Sequence, residues 1–126
     1  MKKIITTPHA PAAIGPYSQA IDTGDLIFIS GQIPIVPETG KLLDGGISEQ
    51  TEQVMKNIGA ILKAAGLEYS SVVKCTCYLE DIADFKAMNE VYGSYFTSEP
   101  PARAALQIGK LPLGAKVEID TIAVRK

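Results

Sequence analysis

The chain has 126 residues, a formal net charge of −2 and a single histidine. That length holds one domain, 1–126, around one core, and the charge balance lacks the basic stripe with which a protein grips phosphate, so no nucleic-acid partner is expected. Two cysteines and one histidine are too few soft ligands for a zinc site, which argues against a metal enzyme.

At the N-terminus, Lys2 and Lys3 precede only Ile4 and Ile5 before Thr6-Thr7-Pro8. This is not the apolar stretch of a secretory signal, and no run reaches membrane-spanning length, so the cytoplasm is the expected compartment and no membrane is involved. Thr6 to Gly15, interrupted by Pro8 and Pro11, reads as an irregular surface segment. His9 within it reads as a loop residue, with nothing nearby to hold or tune it. Tyr17–Ile21 and Leu26–Ile33 read as two strands joined by a turn at Asp22–Asp25, a β-hairpin. Ser30-Gly31 ends its apolar run with a hydroxyl and a residue lacking Cβ. It marks either a place where a ligand approaches the backbone or a bulge glycine at a sheet edge. Tyr17 fits a site residue or a core aromatic with a wet hydroxyl.

Pro34 to Gly46 is rich in turn formers and reads as a loop, with a brief extended piece at Lys41–Leu43. A helix should start near Ser48, its cap candidate, and run to about Ala65, with Gly66 as its C-cap. Val54, Ile58, Ile61, Leu62 and Ala65 form one apolar stripe along it. Ser71–Leu79 is strand-like, with Val73, Cys75, Cys77 and Leu79 on one side, and the two cysteines read as reduced core thiols. Asp81–Asp84 should cap a second helix whose Phe85, Met88, Tyr92, Tyr95 and Phe96 repeat at helical spacing. Asn89 sits beside that stripe, where it presents its amide either to a neighbouring site or to a surface hydrogen bond.

Two further strands follow. In the first, Ala102, Ala104, Leu106 and Ile108 alternate with Arg103, Ala105 and Gln107, and the larger apolar set is expected on the core, which points Arg103 away from it. In the second, Val117, Ile119, Thr121 and Ala123 alternate with Glu118, Asp120, Ile122 and Val124, so Glu118 shares a face with apolar side chains. Arg103 and Arg125 are the only arginines among twelve Lys and Arg residues. Arg103 and Glu118, expected on neighbouring strands, make either a structural ion pair or part of a carboxylate-binding cleft. The expected architecture is α+β, a mostly antiparallel sheet with two helices on one face and oligomerisation burying the other, with a pocket at the seam between subunits.

The segments AIGPYSQA (13–20), ISGQIP (29–34), EQTEQVMKNIGAIL (49–62), VYGSYF (91–96), PPARAALQI (100–108) and VEIDTIA (117–123) together resemble the RidA (YjgF) family over nearly the whole chain. The resemblance implies a chorismate-mutase-like fold assembled as a homotrimer with sites between subunits. It implies hydrolytic deamination of 2-aminoacrylate, its imine tautomer and 2-iminobutanoate to 2-keto acids and ammonia, with no metal or organic cofactor. By the same resemblance Arg103 clamps the substrate carboxylate, Glu118 positions or deprotonates the attacking water, and Tyr17, Ser30, Gly31 and Asn89 line the site. Many members carry a cysteine where this chain has Ala105, so no thiol chemistry belongs there. The alternative is a non-catalytic trimeric module that binds a small keto or amino acid or partners a regulator. A ribonuclease, proposed for some relatives, lacks both an acid/base pair and a phosphate track here.

Overall fold

In the computed structural model, which describes residues 1–125, the period-2 runs of the sequence become strands and the 3.6-period runs become helices. In chain order these are β1 (Lys3–Ile5), β2 (Ala20–Asp22), β3 (Leu26–Gln32), β4 (Ile35–Val36), β5 (Lys41–Leu42), α1 (Ile47–Ala64), β6 (Val72–Leu79), α2 (Phe85–Ser94), β7 (Ala102–Gln107) and β8 (Val117–Val124). Six strands form one sheet in the order β1-β2-β3-β8-β6-β7, and β4 pairs with β5 in a separate ribbon. Every pairing in the sheet is antiparallel except β6 with β7. None of the described helices is long and apolar enough to cross a membrane.

Both helices cover one face of the sheet. Val54, Met55, Ile58, Ile61 and Leu62 of α1 and Met88 and Tyr92 of α2 are buried against Ile27, Ile29, Cys75, Cys77, Leu79, Val117 and Ile119. Each such aliphatic side chain removed from water contributes about 1.5–3 kcal/mol before conformational entropy is charged against it. Cys75 and Cys77 are free thiols inside this core, as their sequence setting implied. The opposite face is open, and on it Phe28 and Leu106 remain 42% and 41% exposed.

Four local expectations change. The first hairpin strand starts at Ala20 rather than Tyr17, because Pro16 and the buried Gln19 hold the preceding residues in a loop. The α1 N-cap is Gly46, not Ser48: Glu49, at the third helical position, reaches back to accept the Gly46 N–H at 3.0 Å, so the cap lies two residues earlier. Gly66 does adopt the left-handed conformation (φ +78) that ends the helix. In β6 an extra residue between Val72 and Lys74 breaks the alternation, so Val72 takes the core position and Val73 is 43% exposed.

The fourth change moves Arg103. β7 pairs in parallel with β6 so that Cys75 lies beside Arg103, Cys77 beside Ala105 and Leu79 beside Gln107. Laterally paired residues share a face, so Arg103 and Ala105 lie on the helix side and Leu106 on the open side. In a strand this rich in alanine, the side-chain pattern carried too little weight to fix the facing; pairing with β6 decides it.

Candidate active site

The six candidate site residues fall into two groups. Tyr17, Ser30, Gly31 and Glu118 line one cleft of about 580 Å³, walled elsewhere by Pro11, Ile14, Ile33 and Leu113. Arg103 and Asn89 meet on the other side of the sheet. Arg103 and Glu118 are therefore not a pair on neighbouring strands: β6 lies between β7 and β8, and the two side chains leave the sheet from opposite faces. The ion pair that adjacency would have made is absent. Among the described residues the one salt bridge joins Asp22 and Arg125 at 2.7 Å.

A bulge builds the cleft floor. β3 advances three residues from Ile29 to Gln32 while β8 advances two from Thr121 to Ile119, leaving Ser30-Gly31 opposite Asp120. The extra residue turns Gly31 under Glu118, and a methyl group added at Gly31 would overlap Glu118 Oε2 outright. Thus the space that glycine leaves free is filled by the carboxylate itself. Ser30 Oγ donates to the Ser18 carbonyl at 2.6 Å, which commits its proton and leaves only lone pairs for a ligand. Glu118 faces Asp120 along the same strand face, and its carboxyl is pushed above the usual glutamate range, first by burial and then by the Asp120 charge. Tyr17 is 53% exposed at the rim, where its hydroxyl accepts a long hydrogen bond from Ile14 N–H at 3.4 Å.

Buried amides hold the walls. Gln19 accepts from Thr7 N–H at 2.7 Å and donates to the carbonyls of Thr7, at 3.0 Å, and Pro11, at 2.8 Å, latching the N-terminal segment over the sheet. Asn57 of α1 donates to Ile33 O at 3.3 Å and Ile35 O at 2.9 Å, while Gln50 accepts from Lys116 N–H at 2.9 Å. Leu113, 69% exposed, stands on the far rim with a left-handed backbone (φ +58), a conformation that costs a branched side chain stability. His9 lines a different groove, with Lys63 and Ala64, and takes no part in this cleft.

Arg103 has a different kind of setting. It is exposed on edge strand β7, and its guanidinium carbon lies 5.0 Å from the Tyr92 ring centre and 5.3 Å from that of Phe85. Its NH1 donates to Asn89 Oδ1 at 2.5 Å. Phe85, Asn89 and Tyr92 stand at i, i+4 and i+7 on α2, one helical face. The spacing of Phe85 and Tyr92 was visible in the sequence, but it read as core because nothing there showed β7 beside α2. Gln19, Gln50 and Asn57 carried no sequence signal of burial.

The family model described as Endoribonuclease L-PSP matches residues 7–125. Reactive Intermediate Deaminase A, chloroplastic, of Arabidopsis thaliana is 54% identical to the chain, the match covering 97% of the chain and 65% of the plant protein, just under two thirds of its length. The 2-iminobutanoate/2-iminopropanoate deaminase of Mus musculus is 50% identical over 99% of the chain and 93% of its own length. Among solved structures, E. coli TdcF with bound serine superposes with a TM-score of 0.94 at 42% identity, covering 98% of this chain and 99% of that one.

Proposed function

The chain belongs to the Endoribonuclease L-PSP family, the RidA (YjgF) group whose motifs it carries, and we propose that it is an enzyme that hydrolyses small 2-imino acids and their enamine tautomers to 2-keto acids and ammonia. The observation that carries the reading is that Arg103, anchored on Asn89, and Glu118, lying over Gly31, leave one sheet from opposite faces, neither in a salt bridge among the described residues. An arginine kept free of carboxylates binds a carboxylate ligand in its planar fork, and a glutamate with a raised pKa is a stronger base than an ordinary carboxylate. The chemistry asks for little more. An imine carbon next to a carboxylate is electrophilic, so water adds to it directly: Glu118 takes one proton from the water as the C–O bond forms and returns it to the imine nitrogen. The carbinolamine's hydroxyl proton then passes through Glu118 to that nitrogen, the C–N bond breaks, ammonia leaves and the oxygen becomes the keto oxygen. Ser30, with only lone pairs to offer, is suited to accept from the substrate N–H.

A single copy cannot bring the two halves together, so the working unit is a homotrimer of the chorismate-mutase-like type, with Arg103 of one copy facing the Glu118 cleft of the next. The open sheet face supports this, since Phe28, Ile122 and Leu106 leave it apolar and uncovered. Such a protein works in the cytoplasm beside enzymes that release imines. The relative with bound serine supports a ligand that carries an α-carboxylate. The family description's ribonuclease activity gains no support here, because the lone histidine lies outside the cleft and the net charge is negative.

The test couples a threonine dehydratase to the protein with semicarbazide competing for the imine, and follows keto-acid formation. Wild type should accelerate it, and Arg103→Ala and Glu118→Ala should each remove the acceleration. Mixing the two inactive variants through denaturation and refolding should restore about a quarter of the wild-type sites, since random assembly reunites intact halves across an interface. Activity absent from the mixture would place the whole site in one copy. No acceleration by wild type would leave the binding module as the better reading, with a keto or amino acid as its ligand.

A further inference from the structure

Arg103 is exposed and lies at the sheet edge, yet three side chains of α2 engage its guanidinium, and all three are neutral. A carboxylate at the Asn89 position would hold the guanidinium at least as firmly. It would also occupy the charge that a ligand needs. The rings of Phe85 and Tyr92 offer their negative faces, which orient a cation while leaving its hydrogen-bonding fork largely open, and the Asn89 amide oxygen takes one N–H without adding charge. Tyr92 points to the same division of labour. It is 4% exposed, and its buried hydroxyl lies beside the Cys75 thiol and makes no hydrogen bond to Arg103, so what it gives the guanidinium is its ring.

We propose that Phe85, Asn89 and Tyr92 are positioning residues, a neutral mount that fixes the direction of the Arg103 guanidinium while leaving its charge available to the substrate carboxylate. This assigns Asn89 to the arginine rather than to the substrate, and it gives two aromatic side chains a second role beyond the core. The consequence for turnover rests on the imine-hydrolase reading; the mount itself does not.

The experiment exploits the scarcity of arginine. With Arg103 and Arg125 the only two arginines, a 15N spectrum of the side-chain Nε–H groups carries two signals, assigned with Arg103→Lys, and Arg125 serves as internal reference. Tyr92→Phe should leave the Arg103 signal protected and shifted as in wild type. Tyr92→Leu and the exposed Asn89→Ala should expose it to rapid exchange and leave Arg125 unchanged. In the coupled assay those two variants should raise KM about tenfold with a smaller change in kcat, as expected when an anion clamp loses its orientation. Asn89→Asp separates orientation from charge: the Arg103 signal should stay protected while KM rises about tenfold or more. The proposal falls if Arg103 stays protected in both Tyr92→Leu and Asn89→Ala, if Tyr92→Phe is as damaging as Tyr92→Leu, or if Asn89→Asp binds substrate as well as wild type. Should Tyr92→Leu fail to fold, Asn89→Ala decides the matter alone. If the spectra change as expected while wild type shows no turnover, the mount stands and the hydrolase reading fails.

Discussion

The molecule contains two sets of one arginine and one acid, and they are arranged in opposite ways. At one end of the sheet Arg125 closes on Asp22 at 2.7 Å, and Asp22 also accepts from Gly24 N–H at 2.7 Å. That backbone bond, more than the arginine, holds the Asp22 carboxyl below the usual range. Arg125 and Asp22 match each other, so the corner fastens the C-terminal strand to the first hairpin. Arg103 and Glu118 are instead kept apart by the thickness of the sheet, the one held by neutral groups and the other pushed toward its protonated form. Charges that finish their interactions within the chain serve the fold. Charges held in position but left unmatched are reserved for something outside it.

Breaking the unmatched set should have the largest effect on activity and little on the fold. Arg103→Ala is expected to lower kcat/KM about a hundredfold or more, with an unfolding midpoint close to wild type because the side chain is exposed; a large loss of thermal stability would make Arg103 a structural residue after all. Gly31→Ala comes next. Its Cβ must displace the Glu118 carboxylate, so activity should drop about tenfold or more, with stability reduced by about 1–2 kcal/mol, read from paired kinetic and denaturant measurements.

The protonation of Glu118 sharpens the contrast further. Because its pKa is raised on folding, its contribution favours the native state below the ordinary glutamate pKa and is lost as pH rises through the folded value. Glu118→Gln should therefore stabilise the protein at neutral pH while abolishing turnover. In the wild type the acid limb of the rate profile should fall at a higher pH than an ordinary carboxylate would give. Asp22 has the opposite sign: its contribution is present above the ordinary aspartate pKa and is lost as pH falls through the lowered folded value. Arg125→Ala should produce the smallest effect of all, a slight loss of thermal stability that salt erases and a rate that does not change.

How much of this could be read from the chain depends on which partner each residue answers to. The α1 stripe from Val54 to Leu62 faces one core and needs no knowledge of the rest of the fold, so its periodicity showed its burial directly. Arg103 answers to α2 through the register of β7 on β6, a relation between segments that alanine-rich alternation does not encode. Both bulges were hidden for a similar reason. Ser30-Gly31 and Val73 are extra residues only relative to β8, and the glycine alone left a bulge and a ligand approach equally open. Glu118 among apolar neighbours was legible as an oddity. Its neighbour across the bulge, which explains Gly31, was not.

The parallel pairing of β6 with β7 has a consequence in time as well as in space. Parallel neighbours cannot be joined by a tight turn, and the connection between these two is α2 itself, so strand, helix and strand form one continuous unit from Val72 to Gln107. Arg103 and all three of its supports lie within that unit. The Glu118 cleft, by contrast, draws its walls from Pro11 through to Glu118, nearly the full length of the chain. Contacts of short sequence separation close with less loss of chain entropy than distant ones. As the chain folds, the anion-binding half should take shape from its own neighbourhood, while the proton-handling half waits for the two ends of the polypeptide to meet.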